Sequence, residues 1–150
     1  MTRAEAVEVL APHEVARLRA ELREAQRDPD PLLQLTVRDS FIGVLNSYLE
    51  RRLAELGRVV QVHGDIEALE PCPCCGYLTL GERGDYELCV VCFWEDDGVN
   101  EPAHHSGPNH MTLGEGRRNF ERLGAISEES VVHVLRDGRE RYPRAPRRAT

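Results

Sequence analysis

Two C-x-x-C pairs, Cys72/Cys75 and Cys89/Cys92, constrain this chain more than any other feature of its sequence. Thirteen residues separate the pairs, a spacing typical of sites in which four thiolates hold one metal ion. A tight turn lets both sulfurs of one pair reach the same ion, and a hairpin can then place the second pair opposite the first. Four sulfurs at about 2.3 Å complete a tetrahedral shell that suits Zn²⁺. The sequence therefore predicts one structural zinc bound by Cys72, Cys75, Cys89 and Cys92.

Two other interpretations of these cysteines stay open at this point. A rubredoxin-like iron site has the same ligand set, and buried or free thiols without a metal are the simplest alternative. The fifth cysteine, Cys74, has no partner in either pair. It could replace a ligand or be a reactive thiol, but C-x-C geometry is cramped. We predict that Cys74 is a small side chain packed beside the metal.

The residues around the cysteines indicate a ribbon-like β-hairpin. Pro73 stiffens the first turn, and Gly76 tolerates the positive φ that a chain leaving such a turn often needs. In the second pair, Phe93 stands where a glycine would be easier. Strand-forming side chains flank a predicted hairpin turn over 81–84: Tyr77 and Thr79 precede it, and Tyr86 and Leu88 follow it.

Composition favours a globular protein of the cytoplasm. The 150 residues, 41% of them hydrophobic, suit one compact domain or a small domain with an appended module. The chain has no long apolar run and no basic-then-apolar N-terminus, so we expect neither a membrane span nor a signal peptide. In the cytoplasm, clustered cysteines indicate a metal more often than disulfides.

Charge is unevenly distributed along a chain whose formal net charge is −7. Between residues 71 and 101, Arg83 stands against seven acidic residues, and four thiolates around one Zn²⁺ would add two further negative charges. Such a surface repels a phosphate backbone, so we expect the ribbon to bind no nucleic acid. From His133 to Thr150 the balance reverses, with six arginines against two acids. This segment is predicted to be a solvated, poorly ordered tail.

Hydrophobic spacing predicts a helical region before the ribbon. A short helix is predicted over 2–10, opened by the capping-box spacing of Thr2 and Glu5, and a second from 12 to about 27, ended by the prolines that follow. A third is predicted from a cap at 39 or 40 to Leu56, stopped by the glycine after it. The alternation over 58–63 predicts a strand.

Two further helices are predicted after the ribbon. Thr112 and Glu115 have capping-box spacing, and Gly124 is well placed to end the helix that they open. Ser127 is predicted to cap a last helix that ends at Gly138.

Three sets of residues resemble a known family. The runs CPCCGYLTL at 72–80 and YELCVVCFWEDDG at 86–98 are followed by a helical set of Asn109, Leu113, Glu115, Arg117, Asn119 and Phe120. Over 71 to about 125 these residues resemble the bacterial cysteine-rich CPCC family. The resemblance implies a zinc-ribbon-type module and no particular activity. The chain departs from the family at Val91, at Thr112 and at Gly116, where the usual alanine would strengthen the helix by about 1 kcal/mol.

The loops after Trp94 carry the remaining candidate chemistry. Histidines near carboxylates could bind a second ion and activate water, as in a metal-dependent hydrolase: the residues are Glu95, Asp96, Asp97, His104, His105 and His110. Because the histidines lack a fixed spacing, we predict a solvated loop there. For the three acids we predict a structural turn paired with Arg117 and Arg118. Cys74 with His104 or His105 is the other conceivable catalytic pair.

The sequence as a whole predicts an α+β protein with a helical N-terminal part, a small zinc-ribbon β-hairpin and C-terminal helices. The expected regions are 1–70, mainly helical; 71–126, the cysteine-rich CPCC domain with its helix; and 127–150, a helix with an arginine-rich tail. We predict a zinc-binding protein-interaction module of accessory or immunity type, which binds a protein partner through the acidic turn and the N-terminal helices. The alternative is the metal-dependent hydrolase.

Overall fold

Helices form the first part of the chain, and short strand pairs, turns and one longer helix form the second. A computed structural model describes residues 1–21 and 31–146, and it divides the chain into two units, Met1–Glu67 and Ala68–Thr150. The predicted α+β class is confirmed. Within the described ranges, no helix has both the length and the apolar character needed to cross a membrane. The narrower boundaries at residues 70 and 126 stay predictions.

The first helix, α1, runs from Arg3 to Glu21 without a break at Pro12. Its predicted capping box is confirmed, because the Thr2 hydroxyl accepts from the Glu5 N–H at 3.2 Å and the Glu5 carboxylate accepts from the Thr2 N–H at 2.7 Å. The predicted division into two helices is wrong. Proline removes one helical hydrogen bond, but buried residues on both sides of it, Leu10 and Val15 among them, hold the helix together. The predicted end near residue 27 and Pro29 lie outside the described residues, and Pro31 is the first residue of the next helix.

The helix predicted from residue 39 or 40 to 56 is shorter than expected, and a helix that was not predicted precedes it. Helix α2 spans Pro31–Asp39 and α3 spans Asn46–Glu55. The turn between them contains Gly43 with φ of +74°, a left-handed conformation that ends a helix. The predicted start was therefore wrong, because the first apolar residues of the stripe belong to this turn.

A buried arginine fixes that turn. The Arg3 guanidinium donates to the Val44 carbonyl and to the Asn46 amide oxygen, both at 2.6 Å, and pairs with Glu67 at 2.7 Å. These hydrogen bonds and the ion pair offset part of the desolvation cost of burying the guanidinium group. Arg3 thus joins the start of α1 to the turn and to the end of the unit.

The C-terminal end of α3 agrees with the prediction. Gly57 has φ of +77°, its N–H donates to the Ala54 carbonyl, and the Arg58 N–H donates to the Leu53 carbonyl. These two hydrogen bonds together form a Schellman motif. The strand predicted over 58–63 is wrong: among the described residues, this segment forms a single isolated bridge, between His63 and Thr2.

The second unit begins with strands β1, Glu70–Pro71, and β2, Leu78–Leu80, which pair antiparallel. The predicted hairpin around 81–84 is wrong. Strand β2 pairs with the preceding strand β1 and not with residues 86–88, which follow it. Leu88 instead bridges to Glu95. Each cysteine pair therefore lies in its own small loop, closed by its own flanking residues.

The rest of the unit holds a second strand pair and the main helix. Strands β3, His105–Ser106, and β4, Met111–Thr112, lead directly into α4, Leu113–Leu123. The predicted capping box of Thr112 and Glu115 is confirmed, and Gly124 follows the helix with φ of +80°. Leu113 and Phe120 are buried on its inner face.

The last predicted helix is wrong in extent. A 3₁₀ turn covers Glu129–Val132, and the short helix α5 covers Gly138–Arg141, where the predicted helix should end. Ser127 does accept from the Ser130 N–H, at 3.2 Å. Three valines between 131 and 134 disfavour an α-helix, and Val131 and Val132 remain exposed, so no apolar face drives its formation.

The segment after α5 packs onto the first cysteine loop, so the predicted solvated tail is wrong as far as residue 146. The Leu78 N–H donates to the Pro143 carbonyl and the Ala145 N–H donates to the Gly76 carbonyl, both at 2.9 Å. Tyr142 is buried. Residues 147–150 of the predicted tail lie outside the described residues.

Candidate metal centre

The first cysteine loop is closed by two backbone hydrogen bonds. The Cys72 N–H donates to the Tyr77 carbonyl at 2.9 Å, and the Gly76 N–H donates to the Cys72 carbonyl at 2.8 Å. Gly76 has φ of +82°, as predicted for the residue that leaves this turn. A Cβ there would lie 3.2 Å from the Ala145 carbonyl oxygen, so the docked C-terminal segment also favours glycine.

The second cysteine loop repeats this pattern residue for residue. The Cys89 N–H donates to the Trp94 carbonyl at 2.8 Å, and the Phe93 N–H donates to the Cys89 carbonyl at 2.7 Å. Phe93 has φ of +70° in the position that corresponds to Gly76. A bulky residue in this conformation costs about 1–3 kcal/mol. Its ring stacks on His133 with centroids 5.1 Å apart, a contact that a glycine would not make.

The two loops bring four sulfurs together, as the spacing predicted. The Sγ atoms of Cys72, Cys75, Cys89 and Cys92 all lie within 4.8 Å of one another. The Cys72–Cys92 and Cys75–Cys89 pairs are each 3.6 Å apart. Sulfurs held about 2.3 Å from one ion at tetrahedral angles lie about 3.8 Å apart, so the donor set fits a four-thiolate metal site. All five cysteines are free thiols.

Electrostatics limit how many of these thiols can ionise without a cation among them. Burial raises the pKa of the Cys72 and Cys92 thiols. Burial also opposes ionisation of Cys89, but hydrogen bonds from the three other thiols and from Thr79 lower its pKa; the Thr79 hydroxyl lies 3.1 Å from the Cys89 sulfur. Four thiolates at this spacing therefore require a cation among them.

Two arginines bind the backbone of the first cysteine loop. Arg117 Nε, on α4, donates to the Pro73 carbonyl at 3.0 Å, and Arg144 Nε donates to the Cys75 carbonyl at 2.9 Å. Four thiolates with one divalent cation would carry two net negative charges, and two guanidinium groups beside the loop would then be electrostatically favourable. Arg117 is thus not the partner of the acidic turn that the sequence predicted.

Cys74 lies outside the four-sulfur cluster and is fully buried. A Cβ at Gly116 of α4 would lie 3.4 Å from its Sγ. This position agrees with a small side chain packed beside the cluster; that Cys74 has no other role stays a prediction.

The acidic turn is built into the fold. Asp96 is fully buried, pairs with Arg83 at 2.7 Å and accepts from the Gly84 N–H at 2.7 Å. Asp97 accepts from the Ser106 hydroxyl at 2.8 Å. The turn at 81–84 folds over Asp96, which is why Arg83 replaces the predicted partners from α4.

The histidine loop does not assemble a second metal site in the part of the chain that the structure describes. Over residues 1–21 and 31–146, only the four cysteines form a group of three or more metal-binding side chains. His110 has φ of +54°, and His105 lies in the short strand β3. Neither the hydrolase alternative nor a Cys74–histidine pair gains support from this arrangement.

Residues 70–141 match the family model described as Cysteine-rich CPCC. The match confirms the resemblance carried by the two cysteine runs and extends beyond α4 to the end of α5. No curated protein and no solved structure matches the chain.

Proposed function

We propose that this chain, whose residues 70–141 belong to the cysteine-rich CPCC family, is a zinc-binding module in which the metal is structural and which acts by binding another protein. The four clustered thiols support the metal, and their environment supports its structural role. An accessory or immunity-type setting is compatible with such a module.

The observation that carries the proposal is the closure of the cysteine cluster. Cys72 is 1% exposed and the other three cysteines are 0% exposed. A catalytic zinc keeps an open position for water or substrate, whereas a structural zinc is surrounded by four protein ligands. A site without access to solvent has no place for a substrate. The metal would therefore stabilise the fold and would not take part in a reaction.

The short cysteine loops explain why a metal would be needed. The strands that close them have two or three residues each or are a single bridge. Strand pairs of this size have little stability of their own. In small peptides, structural zinc contributes about 10–16 kcal/mol of apparent binding free energy, enough to decide whether the loops fold.

Metal analysis of protein purified without added metal tests the proposal. We expect one zinc per chain in the unaltered protein and in Cys74→Ser, and loss of both metal and fold in Cys75→Ser. Cys74→Ser is the matched control, since it removes a buried sulfur one residue away that lies outside the cluster. Iron in place of zinc, a folded metal-free protein, or equal metal loss in the two variants would refute the assignment.

A protein partner is favoured over nucleic acid by the placement of the arginines. Arg83 is paired with Asp96, Arg117 donates to the Pro73 carbonyl, and the guanidinium group of Arg144 lies over the Tyr77 ring. These three described basic groups are held by the protein itself and are less available to a phosphate backbone. We expect full-length protein to show no tight binding to short oligonucleotides near physiological salt. Tight binding under that condition would overturn the choice of a protein partner.

Capture of a partner from native cells, followed by reconstitution from purified components, tests the binding role. Direct binding by the metal-loaded full chain supports the proposal. Turnover of a substrate by the full chain that is lost in His104→Ala would replace it with the hydrolase alternative.

A further inference from the structure

An apolar groove remains open on the second unit. The groove has a volume of about 510 Å³ and lies beside the 3₁₀ turn and the end of α4. Its apolar lining includes Val91, Val131, Val132 and Leu135. Val132 is 81% exposed and Val131 is 42% exposed. Neighbouring exposed aliphatic side chains around a groove are typical of a protein-binding surface.

Two arginines line the same groove. The Arg139 guanidinium lies 4.6 Å from the centroid of the Phe120 ring, which holds it in place. Arg136 is exposed and makes no ion pair with any residue in 1–21 or 31–146. The acid between them, Asp137, faces Arg141 at 2.8 Å. The groove therefore combines an apolar floor with cationic groups, on a chain whose net charge is −7.

We propose that this groove is the docking site for an acidic amphipathic helix of a protein partner. The helix would place apolar side chains against the valines and Leu135 and its carboxylates against Arg136 and Arg139. This inference rests on the proposed protein-binding function and names its surface and the chemistry of its partner.

Charge complementarity selects an acidic occupant. Guanidinium groups bind carboxylates through paired hydrogen bonds, and such bonds strengthen beside an apolar floor. Aliphatic side chains offer no platform for base stacking, which argues against a nucleic acid in the groove. A second cavity of about 360 Å³ is lined by Glu95 and Glu129 in place of arginines, so the two cavities differ in the charge that they accept.

Designed peptides test the groove directly on full-length, metal-loaded protein. The probe is an amphipathic helical peptide with a leucine stripe flanked by glutamates. One comparison peptide has lysines in place of the glutamates, and another has serines in place of the leucines. Fluorescence anisotropy measures binding, and amide chemical shifts locate it. We expect only the leucine–glutamate peptide to bind, with shifts centred on residues 131–139 and with weaker binding at high salt.

Single substitutions identify the side chains responsible. Val132→Ser and Arg136→Glu should each weaken binding about ten-fold, and Arg136→Glu should gain affinity for the lysine peptide. Val59→Ser and Arg58→Glu are matched controls, since they lie on the exposed surface of the first unit, where Val59 is 91% exposed. All four sites are exposed, so folding and metal content should be unchanged.

Three results with the peptides would overturn the proposal. They are equal binding of the glutamate and lysine peptides, equal weakening by the control substitutions, and chemical shift changes centred outside 131–139. A purified native partner whose binding survives both Val132→Ser and Arg136→Glu would also overturn it. That last result would leave the protein-binding function intact, so the two proposals can fail separately.

Discussion

Replacing Gly116 with alanine tests whether packing or helix propensity governs the start of α4. In a free helix, alanine in place of glycine stabilises by about 1 kcal/mol, so the sequence alone predicts a more stable protein. The structure predicts the opposite. A Cβ at Gly116 would lie 2.8 Å from Cζ3 and 3.1 Å from Cε3 of Trp94, and 3.4 Å from the Cys74 sulfur.

The expected size of the effect follows from what surrounds this position. Trp94 and Cys74 are both 0% exposed, so neither can move aside into solvent. Overpacking of a buried site costs about 1–3 kcal/mol, against the gain of about 1 kcal/mol in helix propensity. The balance of these two terms is a destabilisation of the second unit by Gly116→Ala of up to about 2 kcal/mol. In a unit of this size, a loss of about 2 kcal/mol lowers the melting temperature by roughly 8–16 °C.

Trp94 also provides the assay, because it is the chain's single tryptophan and lies in the affected unit. Its fluorescence during urea unfolding of metal-loaded protein gives the change in unfolding free energy. Gly107→Ala is the matched control, since a Cβ there meets nothing within 4 Å, and it should change stability by less than about 0.5 kcal/mol. A stabilised Gly116→Ala, or equal destabilisation by both substitutions, would refute the packing argument.

Three further predictions follow from contacts elsewhere in the chain. Arg144→Gln should release zinc to a chelator about 10–100-fold faster than the unaltered protein, because Arg144 holds the backbone of the first cysteine loop; stopped-flow chelator assays measure this. Zinc affinity should rise with pH, because Cys72 and Cys92 have raised pKa values and must lose protons to bind; calorimetry in buffers of different ionisation enthalpy counts the protons. Glu14→Gln should destabilise the first unit by about 1.5–3 kcal/mol at neutral pH, because it removes the charged hydrogen bond to Arg52. Burial alone would raise the pKa of Glu14, but Arg52 keeps that pKa below its ordinary value. That contribution is present above the ordinary carboxyl pKa and is lost as pH falls through the lowered one, so unfolding free energies of protein and variant should converge in acid.

The sequence by itself determined the features that depend on a few neighbouring residues. The two capping boxes, opened by Thr2 and Thr112, form as predicted because each needs only its own first turn. The glycines at 57 and 124 end their helices for the same reason. The two-residue gaps within the cysteine pairs likewise predicted that the four sulfurs would meet. These features required no knowledge of the remainder of the chain.

Only the tertiary structure decided the features that depend on distant residues. The sequence gives no period or spacing that would bring Arg144 to the first cysteine loop, because Arg144 lies 69 positions after Cys75. Asp96 forms its ion pair with Arg83 and not with an arginine of α4, because the turn at 81–84 folds over Asp96. Gly116, which looks like a weak point of a helix, is the position where the Trp94 ring fits. Strand pairing, buried ion pairs and close packing are set by which surfaces meet in three dimensions, and local propensity carries no information about that.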